Sequence, residues 1–150
     1  MPTIDHSITT PYSPAEMFAL VSDITTYKEF VPACADSYVE NTPKGIFGTI
    51  VLSAGIKKES FTTLNTPVEN KRIDMTLVTG AFNALEGFWS FEPHGEQGCK
   101  VSIHLTYELP LMYRLMDGYF RSTITTLVDA FSQRAKKVYG DKVAVSGPSL

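Results

Sequence analysis

Alternating apolar and polar residues mark most of the extended segments of this chain. Ile4, His6 and Ile8 share one face of a first strand. The alternation is clearest late in the sequence, where every odd-numbered residue from 101 to 109 is apolar or aromatic. Such strands bury one face and expose the other. The pattern predicts seven strands, near residues 3–10, 35–42, 45–55, 58–66, 71–79, 84–93 and 98–109.

The connections between the later strands are short and contain turn-forming residues. Residues 43–45, 66–70 and 93–98 are rich in the Pro, Gly and Asn that favour turns. A parallel pair would need a crossover of about a dozen residues or more. These strands are therefore predicted to be antiparallel neighbours.

Two short helices are predicted between the first and second strands, at about 14–21 and 24–31. Ser13, Pro14 and Glu16 form a helix start, with an N-cap hydroxyl, a proline at N1 and a carboxylate at N3. Pro32 ends the second helix. Tandem short helices flanked by strands suggest a plug at one end of a curved sheet.

The apolar spacing changes to three- and four-residue steps in the last part of the chain, which predicts one long amphipathic helix from Pro110 to Tyr139. Gly140 provides its end. Residues 122–126 have poor helix propensity, but the apolar spacing continues through them.

The element order is thus β-α-α-β6-α, an α+β fold in which a curved seven-stranded antiparallel sheet wraps the long C-terminal helix. Gly45, Gly48, Gly55 and Gly87 are candidate sites for the bends or bulges that the curvature needs. A helix held against such a sheet often leaves space beneath it.

Composition and charge narrow the function classes. The 150 residues carry a net charge of −3, and no apolar run approaches the roughly 20 residues that span a bilayer. The N-terminus lacks the pattern of a signal peptide, so a cytoplasmic protein is expected. Residues 110–142 contain six Lys or Arg and three Asp. This basic segment could meet anionic lipid or RNA, or could simply be a solvated helix face.

Catalytic and metal-binding motifs are missing from the sequence. His6 is expected in the core, whereas His94 and His104 fall in a turn and on a wet face. Cys34 and Cys99 have no metal or redox spacing. No carboxylate pair, nucleophile elbow, P-loop or dinucleotide fingerprint is present. The expectation is a protein that is not an enzyme, has no catalytic cofactor and no metal, and does not bind DNA.

Several ordered motifs resemble a known family. They are Tyr12-Ser13, Phe30-Val31-Pro32-Ala33-Cys34, Phe61-Thr62-Thr63, Gly80-Ala81-Phe82 and Leu85-Glu86-Gly87-Phe88-Trp89-Ser90-Phe91. Together they resemble the coenzyme Q-binding protein family (COQ10/RatA type) of the START-like, or helix-grip, superfamily, which includes Bet v 1-like and polyketide cyclase-like proteins. Ala33 departs from the tryptophan or glycine that is frequent in relatives. The resemblance implies a single START-like domain over 1–143, with 144–150 expected to be a disordered tail.

The resemblance also implies a function. A cavity under the long helix would bind ubiquinone or a similar isoprenoid lipid and would not transform it chemically. This binding would support respiratory electron transport, and the protein would make peripheral contact with the inner membrane. The alternative is a ribosome association toxin that binds the large subunit and blocks formation of the 70S ribosome. A cyclase-like enzyme is the third possibility.

The candidate ligand-binding residues are mainly the apolar side chains of the sheet and the long helix that would face each other. Ordinary core packing is the alternative for each of them. They are Phe30, Met75, Leu77, Trp89, Phe91, Leu105, Tyr107, Leu115, Met116, Tyr119, Phe120 and Leu127.

Polar and conformational roles can also be assigned to some of these positions. Trp89, Tyr107 and Tyr119 could donate hydrogen bonds to a quinone carbonyl. Gly118 is expected to allow close packing against Trp89, with a ligand gate as the alternative. Residues 11–34 become a candidate lid, with Tyr27, Phe30 and Pro32 at the mouth of the cavity.

Overall fold

The computed structural model describes residues 2–54 and 57–141. Seven strands and three α-helices form an α+β architecture in the predicted order. The strands are β1 Thr3–Thr10, β2 Cys34–Thr42, β3 Gly45–Ala54, β4 Lys57–Val68, β5 Arg72–Gly80, β6 Ala84–His94 and β7 Gly98–Glu108. The helices are α1 Pro14–Ser22, α2 Tyr27–Phe30 and α3 Asp117–Tyr139, with 3₁₀ turns at Ile24–Thr26 and Leu111–Met116.

All seven strands form one antiparallel sheet in the order β1-β7-β6-β5-β4-β3-β2. The first strand pairs with the last along its whole length, from Thr3 opposite Thr106 to Thr10 opposite Cys99. The other strands follow one another as hairpins, which confirms the antiparallel prediction. The predicted alternation is also correct in β7, where the odd-numbered residues are buried.

The register shifts of the sheet do not coincide with the glycines expected to bend it. One shift lies between Cys34 and Asp36 in β2, and the other between Thr62 and Thr63 in β4. Gly87 instead permits a close strand approach, because a Cβ there would stand 1.9 Å from the carbonyl oxygen of His104. Gly55 and the predicted tail over 144–150 lie outside the described residues.

The start of α1 has the predicted capping box. Ser13 Oγ accepts a hydrogen bond from the amide of Glu16 (3.1 Å), and Glu16 Oε1 accepts one from the amide of Ser13 (2.9 Å). Two of the amides left without intrahelical partners are thereby satisfied. The second helix is shorter than predicted, because Ile24–Thr26 is a 3₁₀ turn and only Tyr27–Phe30 is α-helical.

The long helix begins later than predicted. Leu111–Met116 is a 3₁₀ turn, and the α-helix starts at Asp117 rather than beside Pro110. Leu111 and Leu115 of this turn have no core to meet, since they are 79% and 99% exposed. Residues 122–126 lie inside α3, as the spacing predicts.

Several fully buried side chains lie around the C-terminal half of α3. Val128, Phe131 and Ala135 are fully buried there, as is Met17 of α1. The Phe131 ring packs edge-on against Trp89 of β6 with centroids 5.6 Å apart. This packing fixes α3 and α1 against the sheet, and the space described next lies toward the other half of α3.

Candidate ligand-binding site

A cavity of about 380 Å³ lies between the sheet, the α1–α2 segment and α3. This volume falls at the lower end of the range for small-molecule sites, roughly 300–1,000 Å³. Val21, Ile24 and Tyr27 form its wall on the side of α1 and α2. The Tyr27 side chain is held there by a hydrogen bond from its hydroxyl to the carbonyl of Val21, and burial raises the pKa of that hydroxyl.

The structure places five of the predicted ligand-binding residues on the wall of this cavity, on the side of the sheet and α3. They are Met75, Trp89, Leu105, Phe120 and Leu127. Four of them are at least 92% buried, and Met75 is partly buried. Their position gives the cavity an apolar surface, and their contact with a ligand stays a prediction.

A second cavity of about 330 Å³ lies beneath the 3₁₀ turn Leu111–Met116. Met116, Tyr119 and Phe120 of the predicted set line it. Phe120 and Phe61 line both cavities. Phe82 packs against both rings, with centroids 5.3 Å from Phe61 and 4.9 Å from Phe120. An aromatic cluster of Phe61, Phe82 and Phe120 therefore separates the two spaces.

Five predicted residues line neither cavity. Phe30 packs on Phe131 (5.3 Å between centroids), with the Arg134 guanidinium 4.9 Å from its ring centroid. Phe91 packs against Phe18 (5.5 Å). The others are Leu77, which is partly buried, the fully buried Tyr107, and Leu115.

The placement of Leu115 opposite the sheet was wrong. Its side chain is 99% exposed, because it belongs to the 3₁₀ turn and not to the helix face that meets the core. The expectation for Gly118 was also wrong. Apart from its chain neighbours and the backbone of its own helix, no described atom lies within 4 Å of where its Cβ would stand, so this glycine does not serve close packing against Trp89.

The tyrosine hydroxyls expected to face a quinone are already engaged. Tyr107 donates to Asp117 at the start of α3, and Arg121 Nε donates to the same carboxylate at 3.0 Å. Tyr119 donates to the carbonyl of Ser53 at 2.8 Å. Burial, together with the bond to Asp117, raises the pKa of Tyr107 to about 12, and the Tyr107 bond lowers the pKa of Asp117. These links anchor α3 to the sheet.

Polar atoms on the wall of the larger cavity were not predicted. Thr63 and Asn65 of β4 are buried and line it, as does Ser22 at the end of α1. Asn65 Nδ2 donates to Thr63 Oγ1 (3.0 Å) and to the carbonyls of Thr63 (3.0 Å) and Ile46 (3.3 Å). The available signal was the inward face of β4, on which Phe61 also lies. Because Thr63 and Asn65 are polar, the sequence of β4 by itself predicts that they are exposed to solvent.

Gly48, which the sequence suggested only as a bend in the sheet, leaves room for Ile24 and Asn65 on the cavity wall. A Cβ on Gly48 would stand 2.5 Å from Ile24 Cδ1 and 3.1 Å from Asn65 Nδ2. The glycine therefore lets the 3₁₀ turn of Ile24 and the Asn65 amide approach β3. In the candidate lid over residues 11–34, Tyr27 is buried in the cavity wall, whereas Pro32 is exposed.

An exposed apolar surface lies beside the second cavity. Leu111, Met112 and Leu115 are 79%, 76% and 99% exposed, and Met116 and Tyr119 are exposed to smaller extents. We call these five residues the apolar rim. Clusters of exposed apolar side chains of this kind mark interaction sites.

The charged groups of α3 are largely paired with neighbours. Arg121 pairs with Asp117 (3.0 Å), and Arg134 pairs with Glu29 of α2 (3.0 Å). His6, expected in the core, is half-buried and contacts Asp129 Oδ1 at 3.2 Å.

Within residues 2–54 and 57–141, no group of three His, Cys, Asp or Glu side chains is placed to hold a metal ion. None of the helices described here has the length and hydropathy of a membrane span.

Comparisons with known proteins agree with this geometry. Residues 10–132 match the family model described as polyketide cyclase/dehydrase and lipid transport. The ribosome association toxin RatA of Pseudomonas aeruginosa is 36% identical over 91% of this chain and 97% of its own length. The mitochondrial coenzyme Q-binding protein COQ10 of Dictyostelium discoideum is 27% identical over 86% of this chain and 66% of its own.

Solved structures show the same fold. A START superfamily protein from Mycobacterium smegmatis superposes with a TM-score of 0.76, at 20% identity over 91% of this chain and 98% of that one. The Zhui aromatase/cyclase from Streptomyces sp. R1128 gives 0.83 at 10% identity, over 98% and 99%. The predicted helix-grip architecture is confirmed. The chain belongs to the polyketide cyclase/dehydrase and lipid transport family, and is a relative of the proteins named RatA and COQ10.

Proposed function

We propose that the protein binds an apolar ligand in the cavity between the sheet and α3, with ubiquinone as the leading candidate, and does not transform it chemically. The observation that carries this proposal is the largely apolar wall formed by residues such as Trp89, Leu105 and Leu127. An isoprenoid chain gains about 25 cal/mol for each Å² it removes from water. The similarity to COQ10 points to the same class of ligand.

The absence of catalytic groups from the cavity supports binding without chemistry. Among the described residues that line it, there is no histidine, and the single carboxylate is that of Glu69. Glu69 is exposed at the turn after β4, where it is open to solvent. A general acid or base normally needs a pKa shifted by a buried site. The family contains cyclases, but no described group in this cavity is suited to that role.

The two cavities suggest how a long ligand would be accommodated. Their volumes are about 380 and 330 Å³, and the aromatic cluster of Phe61, Phe82 and Phe120 lies between them. A ring and short chain would occupy the larger cavity. A longer isoprenoid tail would pass the aromatic cluster into the second cavity, beneath the 3₁₀ turn.

The apolar rim is the proposed contact with the inner membrane. Its exposed leucine and methionine side chains lie beside the second cavity, where Met112, Met116 and Tyr119 belong to both the rim and the cavity wall. Flexible methionines suit a lipid of variable shape. A ligand tail could then exchange between the bilayer and the protein without crossing water. Respiratory electron transport would be the process that such exchange supports.

Organic extraction of the purified protein followed by mass spectrometry tests ligand binding. We expect an isoprenoid quinone in the extract, or uptake of added short-chain ubiquinone. The Ile103→Trp variant serves as the control, because Ile103 is buried on the cavity wall and the larger side chain fills the space. Absence of quinone from the extract together with no uptake by the wild type would overturn the proposal.

A second candidate function is association with the large ribosomal subunit in the cytoplasm, with inhibition of 70S formation. The observation that favours it is the identity of 36% to RatA, spread over nearly the whole of both chains. Pairing of Arg121 and Arg134 with carboxylates leaves less positive charge for RNA phosphates. We therefore expect any ribosome binding to depend only weakly on salt. Sedimentation after overexpression tests this function, and an unchanged 70S peak contradicts it.

A further inference from the structure

Ser22, which lines the larger cavity, has a buried hydroxyl without a partner in the part of the chain that the structure describes. Ser22 Oγ is the one buried side-chain nitrogen or oxygen without a hydrogen-bond partner among the described residues. Buried hydroxyls are nearly always paired, so an exception calls for an explanation. A serine near the end of a helix usually bonds the carbonyl one turn back, but this one does not.

A second polar side chain that lines the same cavity, that of Asn65, also has unused hydrogen-bonding capacity. Asn65 is 6% exposed and lines the cavity. Its amide nitrogen donates to Thr63 and Ile46, which fixes the side chain. No hydrogen bond described in the structure reaches its amide oxygen, and an amide oxygen can only accept. Apart from Thr63, which accepts from the Asn65 amide, and the exposed Glu69, the side chains that line the cavity are mainly apolar.

We propose that the Ser22 hydroxyl and the Asn65 side-chain oxygen form a polar recognition site in the apolar cavity, for a single hydroxyl or carbonyl group on the head of the bound ligand. This inference rests on the proposed ligand-binding function and specifies which part of the ligand is recognised. Ser22 Oγ is shielded from solvent in its present rotamer, and rotation about one bond to another staggered rotamer is the step that would bring it to a ligand oxygen in the cavity. It can donate to a carbonyl or accept from a hydroxyl.

The chemistry of the two groups makes separate predictions. Ser22 can serve both kinds of ligand oxygen, whereas the Asn65 oxygen serves only a ligand that donates. A ligand hydroxyl therefore depends on both residues. A ligand carbonyl depends on Ser22 alone. A hydrocarbon of the same shape depends on neither, because it leaves both polar groups unpaired.

The test uses three probes of similar size: 4-decylphenol, decyl-ubiquinone and decylbenzene. Trp89 is the single tryptophan of the chain and lies on the cavity wall, so its fluorescence reports binding. We expect the wild type to bind 4-decylphenol about tenfold more tightly than decylbenzene. Ser22→Ala should lose most of that preference and should weaken decyl-ubiquinone binding by a similar factor. Asn65→Ala should weaken 4-decylphenol binding and leave decyl-ubiquinone binding unchanged.

Stability separates recognition from a structural role. Removing an unpaired buried hydroxyl leaves the melting temperature of Ser22→Ala unchanged or higher, while affinity for the oxygen-bearing probes falls. Ser37→Ala is the matched control. Ser37 is fully buried outside the cavity, and its Oγ accepts from the amide of Lys28 (3.1 Å) and donates to the carbonyl of Thr25 (3.3 Å). This control should melt at a lower temperature and keep the wild-type ratio of affinities.

Each result separates this inference from the proposed function. If the wild type binds all three probes with equal affinity, or if Ser22→Ala keeps the wild-type preference, the polar recognition site is overturned and the apolar cavity function stands. If the wild type binds none of the probes, the proposed ligand-binding function fails and this inference fails with it.

Discussion

The two halves of α3 carry the same apolar spacing but meet different surroundings. In the C-terminal half, Val128, Phe131 and Ala135 are fully buried against α1, α2 and the sheet. In the N-terminal half, Phe120, Ile124 and Leu127 are also shielded from solvent, yet they face cavities. The C-terminal half is packed against other elements, and the N-terminal half borders the cavities.

The difference shows how one helix can supply both rigidity and a binding surface. Phe131 touches three aromatic rings, with centroids 5.2 Å from Tyr27, 5.3 Å from Phe30 and 5.6 Å from Trp89. Such contacts hold the helix in place, while its N-terminal half borders the two cavities. We call the N-terminal half the hollow end and the C-terminal half the packed end of α3. Polar bonds at the hollow end, from Tyr107 and Arg121 to Asp117, replace packing as the anchor.

The largest effect is expected from Phe131→Ala at the packed end. Deleting this fully buried ring removes contacts with three aromatic partners and should cost about 3–5 kcal/mol of unfolding free energy. This is a large share of the roughly 5–15 kcal/mol that stabilises a typical domain. Urea denaturation measures the loss. A cost below about 1 kcal/mol would show that this end is not tightly packed and would remove the contrast.

A smaller loss is expected from Phe120→Ala at the hollow end. The Phe120 ring already borders cavities on two sides, so fewer contacts disappear, and about 2 kcal/mol is expected. The variant should also join the two cavities and improve binding of longer-chain quinones relative to short ones. Denaturation and Trp89 fluorescence titrations measure both effects. A cost equal to that of Phe131→Ala, with unchanged chain-length preference, would contradict the separation of two cavities by this ring.

Much of the fold could be predicted because alternation and helical spacing report directly on which face of an element is buried. The odd-numbered residues of β7 and the capping box at Ser13 are examples. The start of α3 was placed too early, because Leu111 and Leu115 continue the helical spacing although nothing covers them. Spacing identifies an apolar face but does not say whether that face meets protein, a cavity or solvent.

The candidate site was harder to predict for the same reason. Met75, Trp89 and Leu105 were placed correctly on an inward face, but so was Phe91, which packs against Phe18 instead of lining a cavity. Whether a cavity forms depends on the distance between the helix and the sheet. Contacts between distant segments, such as the approach of Ile24 to Gly48 on the cavity wall, are not encoded in any local pattern.

A still smaller effect is expected from Tyr107→Phe, which removes part of the polar anchor at the hollow end. Tyr107→Phe removes the bond to Asp117 and should cost about 1 kcal/mol at pH 7, since the carboxylate is partly exposed. The Tyr107 bond lowers the folded-state pKa of Asp117, so its contribution is present above the ordinary aspartate pKa of about 3.9 and is lost as the pH falls through the folded value. The difference between variant and wild type should therefore shrink below about pH 4.

Denaturant titrations at pH 7 and pH 3 measure this effect, with Tyr119→Phe as the control. The Tyr119 hydroxyl donates to a neutral carbonyl, that of Ser53, so its loss should cost the same at both values. An equal cost of Tyr107→Phe at the two pH values would mean that Asp117 does not anchor the helix as a carboxylate.

The smallest effect on stability is expected at the apolar rim, where Leu115→Asp changes a side chain that is 99% exposed. The unfolding free energy should stay within about 0.5 kcal/mol of the wild type, because no packing is lost. Binding to vesicles of anionic phospholipid should nevertheless fall, since a carboxylate at the rim opposes insertion and is repelled by the surface charge. Val138→Asp, at the packed end of α3 and 50% exposed, is the matched control and should bind vesicles as the wild type does. If both variants lose vesicle binding equally, net charge and not the rim controls the membrane contact. If neither loses it, the hollow end has no special relation to the bilayer, and a ligand tail must reach its cavity by another route.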